Sequence, residues 1–143
     1  MKNVRPLARQ IRILVADDFS QWRSVVRTIL QNRPEWLIVA EATNGEEAVQ
    51  NAVEYGPHVA LLDIGMPIMN GFEAAKRIQL LCPSCRIIFL TQNSDIEFVQ
   101  SAMRIGVAAY VLKANAFGDL PIAISAVLNQ SMFVSAPLAV VPA

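Results

Sequence analysis

The chain has 143 residues, 54% of them hydrophobic, which is enough for one well-buried core and too few for two. Twelve Lys and Arg balance 12 Asp and Glu. Zero formal charge gives no electrostatic grip on nucleic acid or anionic lipid, so small molecules and proteins are the expected partners, with no nucleic-acid contact and no membrane. No apolar run approaches the ~18 residues of a membrane span, and the polar, basic "MKNVRPLARQ" lacks the apolar stretch of a secretory signal, so a cytoplasmic location is expected.

In chain order, "IRILVA" (11–16) reads as a strand, and "WRSVVRTIL" then puts Trp22, Val25, Val26, Ile29 and Leu30 on one helical face before Pro34. The strand "WLIVAEA" leads into "TNGEEAVQNAVEYG", where Thr43 and Glu46 have capping-box spacing and Gly56 with Pro57 stops the helix. A third strand, "VALLD", ends on Asp63. Asn70 caps the helix "GFEAAKRIQLL", Pro83 follows it, and "RIIFLT" is the fourth strand. Ser94 and Glu97 predict another capping box, opening a helix that Gly106 closes. "AAYVLK" is the fifth strand. The last helix, "NAFGDLPIAISAVLN", must hold Pro121 in its first turn, because a deeper proline removes a helical hydrogen bond.

Cys82 and Cys85, as "CPSC", do not make a zinc site, since His58 is the one histidine and four ligands are required. A redox pair would follow a strand and open a helix, whereas this one closes a helical pattern. The two thiols read as ordinary loop cysteines.

Five strands alternating with five helices imply right-handed crossovers and a doubly wound α/β fold with a parallel sheet and helices on both faces. Ligands then bind beyond the carboxyl ends of the strands. Those ends carry Asp17 and Asp18, Asp63, Thr91 and Lys113. Each alone could be a cap or a solvated side chain; together, clustered carboxylates raise one another's pKa unless a cation is present, and an all-oxygen site suits Mg²⁺. An ammonium beside such a site helps to neutralise a transferring phosphoryl group.

"ILVADDFS", "LLDIGMPIMNGFEA", "IIFLT" and "AAYVLK", in that order, resemble the receiver domain of bacterial two-component response regulators, the CheY-like family; the closing "YVLKANAFGDLPIAISAVLNQSMFVS" is most similar to LuxR/NarL-class receivers. The resemblance covers residues 11–130, leaving 1–10 as an N-terminal extension and 131–143 as a tail or linker remnant. It implies a flavodoxin-like sheet of five strands in the order 2-1-3-4-5. It also implies that Asp63 accepts a phosphoryl group from a sensor histidine kinase or phosphotransfer protein, with Mg²⁺ on Asp18, Asp63 and the Gly65 carbonyl, and on Asp17 mainly through water. Lys113 would pair with the phosphoryl group, Thr91 would bond it, and Tyr110 would change rotamer. Pro67 and Gly71 would shape the loop after the acceptor.

Gln92 and Asn93 depart from the family's habit or modulate it. The bulky Gln92 follows the switch threonine, and Asn93 would position hydrolytic water that Gly65, without a side chain, cannot. A further departure is that no helix-turn-helix output domain fits after "SAPLAVVPA", so the sequence reads as a stand-alone receiver or one cut from a longer regulator. The implied function is a phosphorylation-controlled switch that alters the binding of a downstream protein or output domain, compatible with a homodimer, and not an enzyme beyond its own phosphotransfer and autodephosphorylation. Two rivals remain: an aspartyl-nucleophile phosphohydrolase of the same fold, which usually carries its nucleophile after the first strand, and a receiver-like binding module that works without phosphorylation.

Overall fold

The structure is a computed structural model that describes residues 9–135. Its strands are β1 (Ile11–Ala16), β2 (Trp36–Ala42), β3 (Val59–Leu62), β4 (Arg86–Thr91), β5 (Ala109–Leu112) and β6 (Phe133–Val134). Its α-helices are α1 (Ser20–Leu30), α2 (Gly45–Tyr55), α3 (Gly71–Leu81), α4 (Ile96–Ile105) and α5 (Ala116–Leu128).

All strand pairs are parallel, in the order β2-β1-β3-β4-β5-β6. Alternation of side chains along each strand divides the core into two layers. Leu14, Ala16, Ala60, Leu62, Ile87 and Phe89 pack with the buried residues of α2, α3 and α4. Ile13, Val15, Val59, Leu61, Ile88 and Leu90 pack with those of α1 and α5. Because β3 and β4 are covered on both faces, they are apolar without a polar alternate, as a doubly wound sheet demands.

Five strands in the order 2-1-3-4-5 are therefore joined by a sixth. Phe133 and Val134 pair with Ala109 and Tyr110, and Ser135, fully buried, accepts the Leu112 N–H on its Oγ at 2.9 Å. A pairing of two residues leaves no periodic signal in sequence, which is why Phe133 and Val134 were expected in a tail and are instead part of the sheet. The rest of that tail, with Pro137 and Pro142, and residues 1–8 of the N-terminal extension lie outside the described residues.

Local corrections concern helix starts. The α2 cap is Asn44, whose side chain accepts the Glu47 N–H, while Glu47 Oε1 reaches back to the Thr43 N–H and hydroxyl; the box is displaced by one residue from Thr43 and Glu46. At α4 the N-cap is Asp95, not Ser94, without a side-chain cap bond, and the Asp95 N–H is itself taken by Asn93 Oδ1. Pro121 lies in the second turn of α5, not the first. Its missing N–H deprives the Phe117 carbonyl of a partner, and the exposed setting of Phe117 places that turn on the wet side of the helix.

The loop from β3 to α3 is held at two glycines. Gly71 donates its N–H to the Ile64 carbonyl and Gly45 donates to Met69, and a Cβ at either would overlap the backbone of Asp63 or Met69. Between them, Met69 N–H bonds the Pro67 carbonyl at 2.6 Å around Ile68, whose φ is +68°. That is a γ-turn with a left-handed centre, a strained form for a β-branched residue.

Candidate functional site

The order of chain connection reverses between β1 and β3, which opens a crevice beyond their carboxyl ends. Asp17 and Asp18 follow β1, and Asp63 follows β3 directly. The N–H groups of Asp17 and Asp63 are tied to the Ala42 and Ala16 carbonyls, each at 3.0 Å, so the two acids ride on the sheet itself. One carboxylate oxygen from each of Asp17, Asp18 and Asp63 falls within 4.8 Å of the others.

Lys113, in a 3₁₀ turn after β5, enters this cluster from the side. Its Nζ lies 2.7 Å from Asp17 Oδ2 and 3.4 Å from Asp63 Oδ2, with all three side chains almost wholly buried. The remaining oxygens of those two acids accept backbone N–H groups, Asp17 Oδ1 from Phe19 and Asp63 Oδ1 from Ile64. Asp18 differs. Its Oδ1 is buried and has no hydrogen-bond partner, an expensive state for a carboxylate that a cation would relieve. Burial pushes the Asp17 carboxyl above its ordinary range, and the neighbouring Asp63 charge adds to this, against the opposing hydrogen bonds from Lys113 and Phe19 and the lysine charge. An oxygen-only, net-acidic cluster with an unpartnered inner oxygen fits Mg²⁺.

A cleft of about 310 Å³ over Asp63 is lined by Phe19, Gly65, Thr91, Gln92, Phe98 and Lys113, among others. Thr91 is buried, with its Oγ1 accepting the Asn93 N–H. Tyr110 is fully buried and donates its hydroxyl to the Asn93 carbonyl at 2.6 Å. Burial, then the Asp95 and Asp63 charges, push its phenol above the ordinary value, so it stays a donor. Asn93 thus joins Thr91 to Tyr110 through its backbone, while its side-chain oxygen is taken by Asp95. Gln92 is exposed at the rim, and Gly65 is exposed with open space where a Cβ would stand.

Cys82 and Cys85 lie outside the site. Cys82 ends α3 with its Sγ toward the Ala52 carbonyl, and burial pushes the Cys85 thiol up to about 12, which suits an inert core residue.

Several residues at the site escaped the sequence reading. Trp22 stacks over Lys113, with Nζ 4.9 Å from the ring, and Arg23 Nη1 donates to the Asp17 carbonyl at 2.6 Å. Both belong to an α1 face that periodicity reports only as amphipathic. Phe19 and Phe98 wall the cleft, and their signal was an apolar residue standing where a strand end or a first turn should be polar.

The model of the response regulator receiver domain matches residues 13–125. The chain belongs to the response regulator receiver family. It is 37% identical over 103 residues to the transcriptional regulatory protein LnrK of Bacillus subtilis, covering 72% of this chain and 47% of that protein. Identity to the transcriptional regulatory protein DegU of Brevibacillus brevis is 35% over 104 residues, 73% of this chain and 44% of the relative. The chain therefore spans about half the length of these curated relatives. Among solved structures, a LuxR-family response regulator from Aurantimonas superposes with a TM-score of 0.86 at 29% identity, covering 91% of this chain and 93% of the other. The isolated receiver domain of RcsB from Salmonella enterica, solved with the phosphomimetic BeF3-, gives 0.85 at 25% identity, covering 92% and 97%. The receiver thus carries the CheY-like α/β fold and LuxR/NarL-class likeness that its motifs implied, and its function is that of a two-component signalling receiver. This membership favours signalling over a same-fold hydrolase. No helix among the described residues is long and apolar enough to cross a membrane.

Proposed function

We propose that the receiver accepts a phosphoryl group on Asp63 from the phosphohistidine of a sensor kinase or phosphotransfer protein. The observation that carries this reading is the buried Lys113 ammonium set between Asp17 and Asp63, beside an Asp18 oxygen that has no partner. Asp18, Asp63 and the Gly65 carbonyl would hold Mg²⁺, with Asp17 acting mainly through water, and the ion when bound would supply positive charge against which phosphoryl oxygens are neutralised. Lys113 neutralises the same group from the other side, which lets a carboxylate approach an anionic phosphorus. An Asp63 oxygen bonds to phosphorus as the P–N bond to the donor imidazole breaks, and the imidazole nitrogen recovers a proton.

Thr91 bonds a phosphoryl oxygen and gives up its present Asn93 contact. Because the Asn93 backbone also holds the Tyr110 hydroxyl, displacement of Thr91 disturbs Tyr110 and with it the surface of α4, β5 and α5. That surface changes its affinity for a downstream protein or output domain, in the cytoplasm, with a homodimer as one assembly. Residues 11–130, with β6 added at the sheet edge, act as the receiver unit. Gln92 gates the rim of the cleft, and Asn93 positions the hydrolytic water. The receiver has no catalysis beyond this phosphotransfer and autodephosphorylation.

The test is to incubate wild type and Asp63→Asn with Mg²⁺ and acetyl phosphate or beryllofluoride and to follow amide shifts. The wild type shifts at Thr91, Asn93 and Tyr110, and the variant does not; identical responses from the two would remove Asp63 from this role.

A further inference from the structure

At the end of the sheet opposite the acids, the amino ends of β1 and β4 meet the segment after α2 and the segment after α5. They enclose a cavity of about 450 Å³ lined by Arg9, Arg12, His58, Ser84, Arg86 and Gln130, among others. Among the described residues no carboxylate lines it and none of the three arginines is in a salt bridge, whereas Arg23, Arg27, Arg33 and Arg77 all are.

His58 makes the imbalance specific. Its Nδ1 accepts the Arg12 backbone N–H at 2.9 Å, so the neutral ring carries its proton on Nε2. Yet the Arg9 Nη2 lies 3.1 Å from that same Nε2. Two donors face each other with no acceptor between them. Burial and the charges of Arg12 and Arg9 hold the imidazole below its ordinary value, so protonation does not supply a way out. Gln130, at the same wall, has φ +65° as the left-handed residue that closes α5, its N–H on the Val127 carbonyl and the Ser131 N–H on the Ala126 carbonyl.

We propose that the cleft of Arg9, Arg12, His58 and Arg86 binds the diphosphate group of a small phosphorylated molecule. A phosphoryl oxygen set between Arg9 and His58 accepts from both, and the guanidinium forks of Arg9 and Arg86 present paired N–H groups to phosphate geometry. Three permanent positive charges match a diphosphate better than a single carboxylate. The cavity falls in the ~300–1,000 Å³ range of small-molecule sites, which leaves room for an organic group beside the phosphates. This site lies at the opposite end of the sheet from Asp63 and does not depend on phosphoryl transfer there.

Amide and arginine side-chain shifts of the ¹⁵N-labelled chain are followed, without Mg²⁺ and at about 150 mM NaCl to screen loose ion pairing. The titrants are pyrophosphate, ADP and, as a control, sulfate. Saturable shifts confined to Arg9, Arg12, His58 and Arg86, with His58 titrating at higher pH when the anion is bound, support the site. A stronger response to ADP assigns a nucleotide source, and a stronger response to pyrophosphate assigns free diphosphate. Arg9→Gln with Arg86→Gln, the first at an exposed and the second at a half-buried position, weakens binding by about tenfold or more through loss of charge-assisted hydrogen bonds. Shifts that never saturate, an equal response to sulfate, or undiminished binding by the double variant would overturn the proposal. Retained acetyl phosphate labelling of Asp63 in the double variant checks that it is folded.

Discussion

Ile68 holds a left-handed backbone that its branched side chain disfavours by roughly 1–2 kcal/mol, and 76% of it is exposed, so little apolar burial compensates. Glycine would remove the strain and return about 0.5–1 kcal/mol of it as extra disorder of the unfolded chain. Ile68→Gly is therefore expected to stabilise the receiver by up to about 1 kcal/mol, read as a higher urea midpoint; an unchanged or lower midpoint would show that the turn is not strained. Asp18 is the converse case, a residue whose native state is costly until something binds. With Asp18→Asn, the metal-free protein should be at least as stable as wild type, because a like charge leaves the cluster. The rise in melting temperature given by about 10 mM Mg²⁺ should vanish, since stabilisation follows ligand affinity. If Asp18→Asn keeps the full Mg²⁺ response, Asp18 does not hold the ion. Asp17, Asp18, Asp63, Thr91 and Lys113 were legible because each ends or follows a strand with a polar group where apolar residues should continue. Trp22 and Arg23 were not, since an amphipathic helix face does not say which of its residues turns toward a neighbouring loop.

Among the elements, β6 is the addition that pattern reading could not reach. It depends on one residue more than on its two pairs: the Ser135 hydroxyl accepts the Leu112 N–H, and the Ser135 N–H donates to the Tyr110 carbonyl at 3.0 Å. Ser135→Ala leaves the Leu112 donor unmet in a buried place, which costs about 1–3 kcal/mol. The measurable outcome is a lower urea midpoint with faster amide exchange at Leu112; unaltered exchange there would mean the strand does not need the hydroxyl. Since Leu112 immediately precedes Lys113 and Tyr110 lies two residues before Leu112, the same strand that carries the site also carries the edge on which the tail rests. The helix boundaries were legible to within a residue or two where Gly56, Gly106 and Asn70 punctuate the chain. They slipped at α2 and α4 because Thr43, Asn44, Ser94 and Asp95 are all competent caps, and which one acts depends on loop contacts distant from the helix pattern.

Across the whole molecule, the alternation of strands and helices sufficed for a doubly wound sheet, since right-handed crossovers leave few other arrangements. The two ends of that sheet then acquire opposite charge, acids at the carboxyl end and Arg9, Arg12 and Arg86, beside His58, at the amino end. Zero net charge conceals this polarity, which is why the composition suggested no anion site. It has a consequence for stability. His58, with Arg9, Arg12 and Arg86 around it and no acid among the described residues of that cleft, titrates below its ordinary value of 6.5, chiefly through burial. A histidine depressed in the folded state is protonated more readily when unfolded, so its contribution is complete above about 6.5 and is lost as pH falls through the lower, folded value. Asp17, raised above 3.8, works in the reverse sense, its contribution being lost as pH rises through its folded value. Between pH 7 and 5, then, the urea midpoint of the metal-free receiver carries a His58 share that falls on acidification, and His58→Gln should remove that share and change the slope accordingly. A slope of the same size in His58→Gln would place the titrating group elsewhere.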